Sequence, residues 1–161
     1  MTARELWKEF SEETGISAEY DEWAFCGGGE VGDELARLVL TGKKTATSSA
    51  HIAYQTENEP LPQAGEYSVI LSDSGDAACI IRTVKVSLVP FNEVTAEHAF
   101  REGEDDRSLG YWRKVHREAF KPDYAAAGLP FDESGLCVLE EFELVYPEVT
   151  GEKRNADEVE Q

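Results

Sequence analysis

Two alternating apolar runs set around one short turn constrain this fold more than any other feature of the chain. Glu66–Leu71 and Ala77–Val89 flank Ser72-Asp73-Ser74-Gly75-Asp76. In the second run Cys79, Ile81, Thr83 and Lys85 alternate with Ile80, Arg82, Val84 and Val86. A period of two across a Ser/Asp/Gly turn predicts an antiparallel hairpin. Gly135–Tyr146 reads as a third strong strand. Helical spacing appears between these runs: Leu6, Trp7 and Phe10 within Glu5–Glu13, then Glu34–Leu40, Thr95–Arg101 and Arg107–Phe120. Strands and helices are interspersed, so the expected class is α+β, with a small curved sheet or barrel. At 161 residues the chain suits one domain with a real core.

Charge narrows the function. The chain carries 15 Lys and Arg against 33 Asp and Glu, a net charge of −18. A general grip on duplex nucleic acid needs a basic face, so any nucleic-acid contact is expected in a local pocket or short groove. No apolar run approaches the length of a membrane span. Cys26, Cys79 and Cys137 are odd in number and far apart, which suggests a reducing, cytoplasmic setting and structural roles.

Against this acidity, Gly42-Lys43-Lys44-Thr45-Ala46-Thr47 places two amines and two hydroxyls directly after an apolar helix. Asp33 is expected to cap that helix and Gly42 to end it in the left-handed conformation. Lys44 and Thr47 can then reach one small anion or carbonyl together. Gly27-x-Gly29-x-x-Gly32 matches a dinucleotide fingerprint as a string, but no buried strand is expected before it and no acidic strand after it. Residues 16–33 are expected to be irregular. No cofactor is expected.

Glu102-Gly103-Glu104-Asp105-Asp106 lacks the spacing of a calcium loop. No metal site is expected there: Asp106 is read as a helix cap, while Glu102 ends a helix and can turn inward. In the following helix, Leu109, Trp112, Val115, Ala119 and Phe120 share a stripe with His116, which reads as core before catalyst.

The hexapeptide, the turn Leu61-Pro62-x-x-Gly65-Glu66-Tyr67, the strand Cys79–Thr83 and His98-Ala99-x-x-Glu102-Gly103-Glu104-x-Asp106 occur in an order that resembles the ASCH family. Trp112-x-x-x-His116 and Glu140–Tyr146 extend the resemblance. It implies a small PUA-like antiparallel or mixed β-barrel with flanking helices over residues 25–147. Residues 1–24 would then be an acidic helical extension, which is compatible with a homodimer, and 148–161 a disordered tail. It also implies a cleft for RNA or a nucleoside ligand, with Lys44, Thr47 and Glu102 as catalytic residues. Lys43, Thr45, Arg82, Trp112 and His116 would bind substrate. Two activities follow from the resemblance: hydrolysis of an N4-acylcytidine-like amide, or single-stranded RNA binding with or without weak ribonuclease activity. The run Ser48-Ser49-Ala50-His51 departs from the arginine that short amidohydrolase members often carry after the threonine.

Overall fold

The structure, a computed structural model, describes residues 1–147; the expected acidic tail lies outside the described residues. The chain divides into two compact units. One is formed by Met1–Ala36, Tyr67–Ile81 and residues 144–147, the other by Arg37–Glu66 and Arg82–Glu143.

In the first unit, helix α1 (Ala3–Thr14) starts where its caps dictate. Glu5 N–H donates to Thr2 Oγ1 at 3.1 Å and Thr2 N–H donates to Glu5 Oε1 at 2.8 Å, a reciprocal capping box. Gly15, at φ 78°, ends the helix as its sequence suggests. Ala3, Leu6, Trp7 and Phe10 fall at i, i+3, i+4 and i+7, and all four are buried against Val69 and Ile80. The apolar face of α1 is thus covered by its own chain.

Strands β1 (Tyr20–Trp23) and β3 (Tyr67–Leu71) pair in parallel, Tyr20 opposite Tyr67 and Trp23 opposite Ile70. No strand was expected at Tyr20–Trp23, because none of its four side chains is buried and its pattern is too short to register. Helix α2 (Gly29–Leu40) begins five residues before Glu34. Asp33 therefore does not cap it. Its Oδ1 accepts from Asp73 N–H at 2.7 Å instead. A strand does precede the glycine string, within residues expected to be irregular, but none of its residues is buried, so it is not the buried strand that a dinucleotide site needs. The Gly29 N–H, where a phosphate would be received, donates to the Asp73 carboxylate at 2.8 Å.

In the second unit, β2 (Ala46–Ala50) runs antiparallel to β5 (Leu136–Tyr146), with Ala46 opposite Glu141 and Ala50 opposite Cys137. A short helix α3 (His51–Glu57) follows β2 with no pause; it buries no residue, so it leaves no apolar signal in the sequence. The core gathers Ala50, Phe91, Trp112, Phe120, Tyr124, Cys137 and Leu139. Helix α4 (Ala96–Glu102) is capped by Thr95. Helix α5 (Leu109–Ala126) is capped by Ser108, not by Asp106, whose Oδ1 accepts from Ser108 N–H at 2.9 Å. It passes through Pro122 beyond the expected end at Phe120, because Tyr124, one turn further, is also buried in the core.

Strand β4 (Ala77–Pro90) follows β3 across the expected turn, and β4, β5 and α2 contribute residues to both units. The five strands are ordered β1-β3-β4-β5-β2. Among the described residues this is an α+β fold with five α-helices and an open five-stranded sheet. The order is linear and the sheet does not close into the expected barrel. Burial pushes the Cys79 and Cys137 thiols up to about 12, which suits inert packing residues.

Candidate functional site

The second unit brings Lys44, Glu102, Trp112 and His116 together. Gly42 takes φ 84°, and the backbone N–H groups of Lys43 and Lys44 both return to the Leu38 carbonyl. This turn delivers Lys44 to the interior at only 1% exposure, unusual for a lysine. Its ammonium donates to Glu102 Oε1 and Glu104 Oε2, each at 3.2 Å, and to the Glu102 carbonyl at 3.4 Å. Glu102 is 2% exposed.

The second oxygen of Glu102 is as heavily engaged. Oε2 accepts from Trp112 Nε1 at 2.6 Å, from His98 Nε2 at 3.1 Å and from the Ser48 hydroxyl. His98 and Glu102 lie one turn apart on α4. Ser48 Oγ is also 2.8 Å from His98 Nε2. Burial alone would push the Glu102 carboxyl up. The Lys44 ammonium, the His98 hydrogen bond and the charges of His116 and His98 outweigh it and hold the carboxyl well below the usual range.

His116 completes the cluster from α5. Its Nδ1 lies 2.8 Å from the Trp112 carbonyl, which can only accept, so Nδ1 carries the proton. Nε2 then faces Glu102 Oε1 at 3.7 Å, and the ring stacks on Trp112 with centroids 4.3 Å apart. A shallow pocket beside this cluster is lined by Glu102, Glu104, Ser108, Tyr111 and His116.

Three residues of this site carry no role in the sequence reading: Ser48, His98 and Glu104. Ala46 and Ala50 are both fully buried, so the period of two puts Ser48 on their face of β2 and Thr47 on the other. His98 stands at i−4 from Glu102, a spacing visible in the sequence. The remaining expected residues lie apart from Lys44 and Glu102. Thr47 is opposite Glu140 in the ladder. Thr45 immediately precedes Ala46, its N–H donating to Arg101 O at 2.7 Å. Arg82 pairs with Glu143 at 3.4 Å. Lys43 is exposed, and its carbonyl accepts from Arg107 Nη2.

The chemistry of the cluster is that of a held charge. Lys44 is paired with two carboxylates and is not placed as a base. Ser48 is no better placed as a nucleophile, because its proton goes to a carboxylate that is held low and already saturated with donors. Glu102, Glu104 and Asp106 are each engaged by Lys44 or Ser108, which accounts for three of the four carboxylates of the acidic run.

Gly103 makes this approach feasible. It sits at φ 75°, and a Cβ there would stand 2.4 Å from the Lys43 carbonyl oxygen. Gly103→Ala is expected to destabilise the chain by on the order of 2 kcal/mol, from the backbone strain and the displaced Lys43–Lys44 segment. A thermal midpoint within 1 °C of the parent would refute this.

A family model described as the ASCH domain matches residues 21–146. Among solved structures, protein EF3133 of Enterococcus faecalis V583 is similar at 36% identity and a TM-score of 0.82, covering 94% of this chain and 91% of that one. The ASCH domain from Lactobacillus crispatus JV V101 is similar at 29% identity and a TM-score of 0.81, covering 88% and 92%. No curated protein matches the chain. No helix among the described residues is long and apolar enough to cross a membrane.

Proposed function

The chain belongs to the ASCH domain family, and from that premise we propose that it takes an RNA-derived ligand, a nucleoside or a short single-stranded segment, at the pocket beside Lys44 and Glu102. The observation that carries this reading is a lysine fully buried between two carboxylates beside a shallow depression lined by Glu104, Ser108 and Tyr111. Such a buried pair holds polar groups at fixed positions, where a surface pair would not. The net charge of −18 argues against a long phosphate track, so a short contact is expected. Binding of a labelled hexaribonucleotide followed by fluorescence anisotropy should therefore weaken only gently with salt, with a log–log slope of about −1. Glu104→Gln, at a residue 18% exposed on the pocket wall, should change that affinity severalfold. Unchanged anisotropy at low salt sinks the binding reading.

A second reading, hydrolysis of an N4-acylcytidine-like amide, is favoured by one observation. The Thr47 hydroxyl makes no hydrogen bond among the described residues and remains half-buried beside Glu140. Thr47 lies on the face of β2 turned away from Lys44, so in this reading it would position water or the acyl group beside Glu140, and the lysine takes no direct part. Turnover of N4-acetylcytidine by the parent and its loss in Thr47→Val test this reading; an unaltered rate in Thr47→Val removes it.

A further inference from the structure

The face of β2 and β5 that carries Thr47 holds a second polar group which the Lys44 cluster does not use. Glu140 stands opposite Thr47 in the ladder, so both side chains leave the sheet on the same side. Thr83, on β4 and only 4% exposed, donates from Oγ1 to Glu140 Oε1 at 3.4 Å. One register step along β2, Ser49 Oγ lies 2.8 Å from the Tyr54 hydroxyl, brought by α3. Among the described residues Glu140 Oε2 has no hydrogen-bond partner and no basic side chain pairs with this carboxyl.

We propose that Glu140, Thr47 and Thr83 form a binding site for a planar heterocycle that offers one N–H donor and one acceptor on adjacent atoms, as the pairing edges of cytosine and uracil do. This rests on the reading above for the class of ligand, but not for the place where it binds.

A half-buried carboxyl with a free oxygen and hydroxyls on either side presents two hydrogen-bonding positions side by side. Burial pushes the Glu140 carboxyl up to about 7, the Thr83 hydrogen bond opposes this, and the charge of Glu66 adds to it. The groups facing it are Thr47 and Ser49 from β2, Thr83 from β4, Tyr54 from α3 and Glu66 before β3; none is cationic. Near neutrality the carboxyl therefore offers one O–H donor and one C=O acceptor, the pattern that a carboxamide offers permanently. Two parallel hydrogen bonds to a heterocycle edge follow, as when Asn or Gln reads adenine. 3-Methyluridine, whose ring methyl removes the N–H donor, does not match the neutral carboxyl.

The test is calorimetric titration of the full chain with cytidine, uridine and 3-methyluridine at pH 6 and pH 8.5. Cytidine and uridine should bind at pH 6 in preference to 3-methyluridine and weaken at least tenfold at pH 8.5. Glu140→Gln should bind cytidine and uridine equally at the two pH values, because the carboxamide keeps the donor–acceptor pair and does not titrate. Glu140→Ala should lose tenfold or more at pH 6. The inference is overturned by parent-like affinity in Glu140→Ala, by lost binding in Glu140→Gln, or by a parent that binds neither cytidine nor uridine at pH 6. Failure of the pocket beside Lys44 shows separately, as hexaribonucleotide affinity indifferent to Glu104→Gln.

Discussion

Glu102→Ala is expected to cost about 4 kcal/mol or more, the largest single-site loss in the chain, and to exceed the cost of Lys44→Met. The alanine removes the acceptor of Trp112 Nε1 and a shared acceptor for Ser48 and His98, and takes away one of the two carboxylates that face the buried Lys44. Breaking one partner of a buried pair typically costs about 3–5 kcal/mol, because the other charge stays desolvated. Lys44→Met leaves Glu102 a different position. Its Oε2 keeps all three donors, so part of the desolvation remains compensated. Glu102→Gln should fall well below either, since the amide oxygen can still accept from Trp112 and Lys44 still reaches Glu104. Urea unfolding gives the ranking; Glu102→Ala milder than Glu102→Gln would overturn the view that hydrogen bonding to Oε2 carries the site.

The same carboxyl fixes the acid side of the stability curve. Its folded value lies below the ordinary value of 4.5, so the folded state binds fewer protons than the unfolded chain as pH falls through that range. Its contribution is therefore present above pH 4.5 and is lost on acidification. Glu102→Gln should flatten that limb.

The elements legible in the sequence are those with enough apolar residues to display a period. The β3–β4 hairpin and β5 bury runs of consecutive residues, and α1 and α5 bury four side chains each at helical spacing. β1 and α3 bury none, and both escape the pattern. The start of α2 was hidden for another reason. Gly29 and Gly32 are poor helix formers, and what holds the first turn is Asp73, 44 residues away in sequence from Gly29.

Within the site, order along the chain was enough to join Lys44 to Glu102, Trp112 and His116, because each belongs to a motif. The choice between Thr47 and Ser48 needed a different fact. It depended on reading Ala46–Ala50 as a strand whose buried face runs through its two alanines, and small residues advertise burial weakly. One residue of register moved the hydroxyl beside Glu102 from a threonine to a serine, and turned Thr47 toward Glu140.

That register has a consequence at the alkaline end of the curve. Glu140 is raised in the folded state to about 7 from 4.5, so between these values the folded chain binds a proton that the unfolded chain has released. Its contribution is fully present below pH 4.5 and is lost as pH rises through about 7, opposite in sign to that of Glu102. At about 1.4 kcal/mol for each unit of displacement, the loss attributable to Glu140 is on the order of 3 kcal/mol. Urea midpoints measured at pH 5 and pH 8 should therefore differ by more in the parent than in Glu140→Gln, and at pH 8 the variant should be the more stable of the two. Removing Glu66, the charged neighbour that also raises the carboxyl, should shift the parent's transition to lower pH without abolishing it. If Glu140→Gln instead keeps the parent's full difference between pH 5 and pH 8, Glu140 is ionised throughout, and the donor that its site requires does not exist.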